Sequence, residues 1–151
     1  MNAIELLKED HDRVDRLFQK VKATEEGEHG KLFEQIKEEL DIHTHIEETI
    51  FYPILINEGD EELKSITLEG IEEHRQAKMF LRELASLKED SDKFEPKLTV
   101  LMEDITHHVQ EEEGEMFPLV EEQFDSTRLE KLGREMDEEK KSFKKSMSAN
   151  A

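Results

Sequence analysis

Four stretches of this sequence each place apolar residues on one helical stripe, and each stripe runs through a histidine. The first passes through Ile4, Leu7, His11, Val14, Phe18 and Val21. The second passes through Ile36, Leu40, His43, Glu47, Ile50 and Ile54, the third through Ile71, His74, Ala77, Leu81 and Leu84. The fourth passes through Leu98, Leu101, Ile105, His108, Glu112 and Leu119. Steps of three and four residues keep one helix face inward. No stretch shows sustained two-residue alternation with β-branched content, so no sheet is expected. Short polar or Gly-bearing segments, "TEEGEHG" (24–30), "NEGDEE" (57–62) and "EDSDKFEP" (89–96), separate the stripes. Pro96 suits the first turn of the fourth helix, and Asp90 and Asp92 are its cap candidates. The chain is therefore expected to be all-α, an up-down-up-down four-helix bundle over 1–124. A fifth, looser stripe (Leu129, Leu132, Met136, Phe143, Met147) gives a C-terminal helix within 125–151. It packs on or beside the bundle, or frays at "SMSANA".

The four shared seams thus carry six polar residues: His11, His43, Glu47, His74, His108 and Glu112. One buried histidine is easily satisfied by a hydrogen bond. Six polar groups in one core are not, because each unpaired one costs several kcal/mol and two carboxylates repel. At 1.5 Å rise per residue the six fall at one height in an antiparallel bundle. A cation is the economical solution.

Charge narrows the field. The 151 residues include 40 acidic and 21 basic side chains, a formal net charge of −19. Nucleic acid and an anionic membrane surface are therefore expected not to be partners. Cysteine is absent, which removes thiolate metal sites, disulfides and Cys nucleophiles. "MNAIELLKEDHDR" does not read as a signal peptide, so the expected location is cytoplasmic.

The two halves of the chain also repeat. "HTHIEETIFYP" (43–53) matches "HVQEEEGEMFP" (108–118) as H-x-x-x-E-E-x-x-Φ-Φ-P, with Φ apolar or aromatic. "HDRVDRLF" (11–18) matches "HRQAKMFL" (74–81) more weakly. The first histidine precedes the second by 32 residues in one half and 34 in the other. Only three prolines occur, and two of them close these motifs. A duplicated helix pair gives a pseudo-twofold bundle, which suits a two-metal centre.

Across about residues 3–122 these motifs resemble the hemerythrin-like, or HHE cation-binding, family. The resemblance implies a four-helix bundle holding two non-haem iron ions (Fe2+ or Fe3+), bridged by carboxylates and an oxo or hydroxo group. The implied ligands are His11, His43, Glu47, His74, His108 and Glu112, with Glu47 and Glu112 the bridges. Imidazole and carboxylate without sulfur independently suit iron or manganese. The oxygen carriers of that family have a further histidine four residues after the third-helix histidine, and an aspartate in the last motif. Here those places hold Lys78 and Glu112. The resemblance therefore implies binding or reaction with a small oxidant (dioxygen, peroxide or nitric oxide), or iron handling, rather than reversible oxygen carriage. Whether the chain is an enzyme, and any protein partner, stay open.

Three other readings compete. A ferritin-like oxidase needs Glu-x-x-His motifs in the core; none lies on these seams. A zinc protein is compatible with the ligand types. A metal-free helical interaction module leaves the histidines structural. Among the remaining residues, His45 and His107 read as helix-flank side chains, His29 as solvated in its loop, and Tyr52 as a packing residue. Glu48 and Glu113 stand evenly between direct and indirect roles at the site.

Overall fold

The computed structural model describes residues 1–149. Helix α1 spans Ala3–Ala23. Its start is set by a capping box: Asn2 accepts from the Glu5 amide at 2.9 Å and Glu5 accepts from the Asn2 amide at 3.1 Å. Helix α2 (Gly30–Ile46) continues through a π-helical turn, Glu47–Phe51, into α3 (Tyr52–Glu58). Helix α4 (Glu61–Ser86) is capped by Asp60. Helix α5 (Phe94–Glu111) continues through a second π-turn, Glu112–Met116, into α6 (Phe117–Gln123). Helix α7 spans Ser126–Ala149. Five helical columns result, four of them forming the up-down-up-down bundle, with no strand among the described residues. No described helix is long and apolar enough to cross a membrane.

The π-turns correct the second and fourth stripes. Each begins at the motif glutamate and inserts one extra residue into the turn. Its cause is legible: Pro53 and Pro118 lack an N–H, and a helical proline ring clashes with the carbonyl four residues back. Widening the turn relieves that clash. Beyond each turn the stripe is displaced by one residue. Phe51, Tyr52 and Leu55 are buried where Ile50 and Ile54 were expected, and Met116, Phe117 and Val120 where Leu119 was. Ile50, Ile54, Leu119 and Ile71 pack only at the core's edge. Asp90 and Asp92 do not cap α5, whose first turn does contain Pro96; Lys93 stands at the cap without a side-chain bond. His29 is not a solvated loop residue. It is buried, donates to the Thr24 carbonyl at 2.9 Å and meets Glu95 at 2.7 Å, pinning the α1–α2 loop to α5.

The apolar core has two layers. One gathers Ile4, Leu7, Phe51, Tyr52, Leu55 and Phe117 with α7's Leu129, Leu132 and Met136. The other gathers Phe18, Phe33, Ile36, Leu81, Phe94 and Leu101. The buried histidines and glutamates lie between them. Helix α7 remains helical through Ser146–Ala149 and packs on α1 and α2; Asn150 and Ala151, the rest of the segment expected to fray, lie outside the described residues. Its backbone comes very close to the chain's start. A Cβ on Gly133 would lie 2.3 Å from the Met1 carbonyl oxygen, so only glycine fits there.

Candidate metal centre

Each motif histidine is held from behind. His11 Nδ1 meets Glu113 at 2.6 Å, His43 Nδ1 meets Asp10 at 3.1 Å, His74 Nδ1 meets Glu48 at 2.7 Å and His108 Nδ1 meets Glu73 at 2.6 Å. A carboxylate on Nδ1 takes that N–H and leaves the Nε2 lone pair aimed inward. The pattern obeys the pseudo-twofold. The acid just before the first histidine of each half (Asp10, Glu73) serves the second. The second glutamate of each motif (Glu48, Glu113) serves the first histidine of the opposite half. Glu48 and Glu113 thus act from behind the imidazoles. Asp10 and Glu73 went unnoticed in the sequence, though an acid directly before His11 and His74 is itself part of the repeat.

Inside this frame the Nε2 atoms face the two buried glutamates. Glu47 Oε1 lies 3.1 Å from both His43 and His74. Glu112 Oε1 lies 3.0 Å from His11, and its Oε2 lies 3.2 Å from His108. The donor atoms of Glu47, His74, His108 and Glu112 cluster within 4.8 Å of one another, as do those of His11, His43 and Glu112. Glu112 belongs to both clusters. The structure therefore brings together all six seam residues and leaves out His45 and His107. His107 is exposed and pairs with Glu111, while His45 pairs with Glu139 and stacks on Phe143.

With the imidazoles neutral, each of these approaches sets an Nε2 lone pair against a carboxylate oxygen and is not a hydrogen bond. His11 Nε2, His43 Nε2, both oxygens of Glu47 and Glu112 Oε1 are buried without a hydrogen-bond partner. An orphan of this kind costs about 1–3 kcal/mol, and five at one point need a common partner. Neighbouring ligands on an ion at about 2.1 Å sit about 3 Å apart, which is the separation seen. The donor set and its unmet lone pairs fit a metal.

Tyr52 corrects the sequence reading. Its hydroxyl donates to Glu112 Oε2 and stands 3.4 Å from the Nε2 atoms of both His74 and His108. Gly70 makes the room: a Cβ there would lie 3.3 Å from that hydroxyl. Burial, then the charges of Glu112 and Glu47, hold the phenol protonated well above its ordinary 10.0. Lys78 points away from the centre and donates to Glu48 at 2.6 Å.

Burial resists charging the four imidazoles, but the surrounding carboxylates outweigh it. His43 is pushed up to about 10, chiefly by Glu47 and Asp10. His11, His74 and His108 are raised as well. Burial also resists ionisation of Asp10, Glu48 and Glu112. His43 and Lys140 bring Asp10 down to about 2, and His74 and Lys78 do the same for Glu48. His108 and His11 hold Glu112 well below the carboxylate range. Without metal, then, the carboxylates make all four imidazoles easier to protonate than a free one.

The family model described as Hemerythrin HHE cation binding domain matches residues 2–120. A hemerythrin HHE cation binding domain-containing protein from Mycobacterium kansasii superposes with a TM-score of 0.83 at 28% identity, covering 97% of this chain and 89% of that one. An uncharacterized hemerythrin-like protein of Schizosaccharomyces pombe is 29% identical, over 74% of this chain and 56% of its own length. A DNA nickase of Nostoc sp. is 23% identical, over 100% of this chain and 42% of its own. This chain therefore spans about half the length of these two curated relatives.

Proposed function

This chain belongs to the hemerythrin HHE cation-binding family, and on that premise we propose that His11, His43, Glu47, His74, His108 and Glu112 hold two iron ions. The observation that carries the reading is Glu112, whose two oxygens face histidines of opposite halves while one of them lacks any hydrogen-bond partner. The proposed activity is binding or reduction of a small oxidant (dioxygen, peroxide or nitric oxide), in a cytoplasmic setting. Bound iron would supply open coordination and one-electron redox capacity.

The chain's own residues shape what reaches that centre. The four Nδ1 clamps fix every imidazole with Nε2 inward. Phe51 and Phe117 close one side of the layer and exclude water. Tyr52 keeps a proton at Glu112 Oε2, beside His74 and His108. A cleft of about 160 Å3 between α1 and α5 is lined by His11, Phe18, Ile105 and Glu113, enough for a diatomic or peroxide molecule. Lys78 stands where the oxygen carriers have a histidine, so a stable reversible oxygen complex is not expected. The nickase named for the Nostoc relative belongs to a much longer protein. A chain of formal charge −19 is poorly suited to a phosphate backbone, so that activity is not carried over.

The test is anaerobic titration of metal-stripped protein with Fe2+, followed by spectra after adding oxygen, peroxide or nitric oxide separately. Saturation at two ions per chain, with a spectral response to at least one oxidant, is expected. Saturation by zinc with indifference to iron would overturn the reading.

A further inference from the structure

We propose that Lys140 of α7, outside the family-matched residues, is a positioning residue that holds His43 through Asp10 and so secures one of the two metal positions. The inference rests on the reading of the six seam residues as ligands.

The argument begins with an inequality among the four clamping carboxylates. Glu48, Glu73 and Glu113 have side chains 28–35% exposed, so water can solvate whatever charge the histidine leaves uncompensated. The Asp10 side chain is 3% exposed. A buried carboxylate needs a cation or a full set of hydrogen bonds. Asp10 Oδ2 accepts from His43 Nδ1, and its Oδ1 accepts from Lys140 and, at 3.2 Å, from Arg13.

Lys140 is costly where it stands. Its side chain is only 11% exposed, on the same stripe as Leu129, Leu132 and Met136. Helix packing alone would be served better by leucine or methionine at that point, without desolvating an ammonium. The residue it neutralises lies behind a candidate ligand. Helix α7 is also fixed in height near that point. Glu139 meets His45 at 2.8 Å, Phe143 stacks on His45 at 3.9 Å, and Gly133 seats against the chain's start. The ammonium is therefore delivered to one spot. In the opposite half Glu73, the equivalent of Asp10, is 32% exposed and lies near His107 and Glu111, with no lysine or arginine among the described residues paired to it.

The chain Lys140–Asp10–His43 contains no group that touches a reacting atom. Its role is to hold the buried Asp10 carboxylate in place against Nδ1, so that His43 presents Nε2 inward. Loss of such a partner typically lowers metal affinity 10–100-fold.

The experiment uses the full chain loaded with Fe2+ under argon, and follows release of iron to an excess of a colour-forming chelator. Wild type is compared with Lys140→Met, Lys140→Arg and Lys141→Met, the last on an exposed neighbour. In Lys140→Met one ion of the two is expected to leave at least about tenfold faster while the other keeps its wild-type rate. Lys140→Arg should restore release to within about threefold, and Lys141→Met should match wild type. The metal-free melting curve is recorded alongside. If Lys140→Met fails to fold, the neutralised pair Asp10→Asn/Lys140→Met replaces it. Its effect should equal that of Asp10→Asn alone, because the two residues act in series. The proposal is overturned by wild-type release from Lys140→Met, by equal acceleration of both ions, or by full additivity in the double variant. Wild-type protein that takes up no iron fails the site reading itself, and this inference with it.

Discussion

The two halves of the bundle use one plan and differ at a few positions that decide the chemistry. Beside His74 and His108, Gly70 makes room for Tyr52 of the first half to place its hydroxyl. The corresponding positions beside His11 and His43 hold Leu7 and Phe117, whose ring lies parallel to that of His11. Accordingly the Nε2 atoms left without any partner are those of His11 and His43. The outer clefts differ too. The α1–α5 cleft carries Asp12, Asp15 and Glu113, whereas its counterpart, of about 470 Å3, carries Lys37 and Lys78, paired with Asp41 and Glu48, and Arg82 under Phe143. The repeat sets matching histidines and glutamates around one centre, and its departures leave one side hydrogen-bonded to Tyr52 and the other without a partner. The unpartnered, more open-ended coordination on the His11–His43 side is where a small ligand is expected to bind.

The largest test of that plan concerns what is common to both halves. Glu112 serves both histidine pairs, so Glu112→Ala should lower the iron count from two toward one or none. Glu47→Ala should weaken binding strongly, and Glu48→Ala by about 10-fold, as for an outer partner. His43→Ala and His108→Ala should be severe, and His45→Ala and His107→Ala mild. Quantified iron after gel filtration separates these cases, and full loading of both glutamate variants would remove the bridge assignment.

The next test is pH. In the metal-free chain His43 is raised from 6.5 to about 10. Such a group adds stability that is fully present below about 6.5 and is lost as pH climbs toward 10. Asp10, lowered from 3.8 to about 2, adds stability above 3.8 that is lost as pH falls through 2. Metal needs neutral imidazoles, so its affinity rises over the interval in which the metal-free bundle weakens. The gap in melting temperature between loaded and chelator-treated protein should therefore widen from pH 6.5 to 8.5 at fixed free Fe2+. A gap that is constant or shrinks would show that the histidines release no protons on binding.

A smaller effect is expected from exchanging the residues that distinguish the halves. Tyr52→Phe makes the His74–His108 side resemble the His11–His43 side and removes one donor from Glu112, costing about 1–2 kcal/mol of metal-free stability. Small-ligand affinity, measured with azide or nitric oxide as probe, should change less than tenfold if ligands enter on the open side. Phe117→Tyr, which places a hydroxyl beside His11, should weaken the same probes more. The reverse order would move the ligand to the tyrosine side.

Much of this was legible in the sequence because ligands in a helical core must obey the seam. Six polar residues kept the period of the apolar ones, so the bundle and the cluster could be read together. What was not legible depends on departures from that period or on contacts across the chain. The π-turns insert a residue without changing composition, so an unbroken helical period puts Ile50 and Leu119 a step too far inward and leaves Tyr52 looking like a packing residue. His29 was read from its Gly-rich loop, and nothing local shows that Glu95, 66 residues away, receives it. Lys140 lay in a run of lysines and glutamates that reads as a solvated face. Only the docking of α7 on α1 singles out the one lysine turned inward.

The smallest expected effect belongs to Lys78, and it bears on burial as the difference between the halves. Lys78 stands to Glu48 and His74 as Lys140 stands to Asp10 and His43: cation, carboxylate, imidazole. The pairings look alike, and Glu48 and Asp10 are both brought to about 2. Yet the Lys78 side chain is 41% exposed and that of Glu48 28%. Water can therefore replace the ammonium, and an exposed ion pair contributes at most about 1 kcal/mol. Lys78→Ala should accordingly shift the melting temperature by only a few degrees. Iron release should stay within about threefold of wild type. Salt should mimic it, since an exposed pair is screened at high ionic strength while Asp10 and Lys140 are shielded from it. If Lys78→Ala instead released an ion as fast as Lys140→Met does, burial would not separate the two chains of contacts. Each histidine would then depend on its distant cation regardless of solvent, and the two halves would be energetically equivalent despite their different residues.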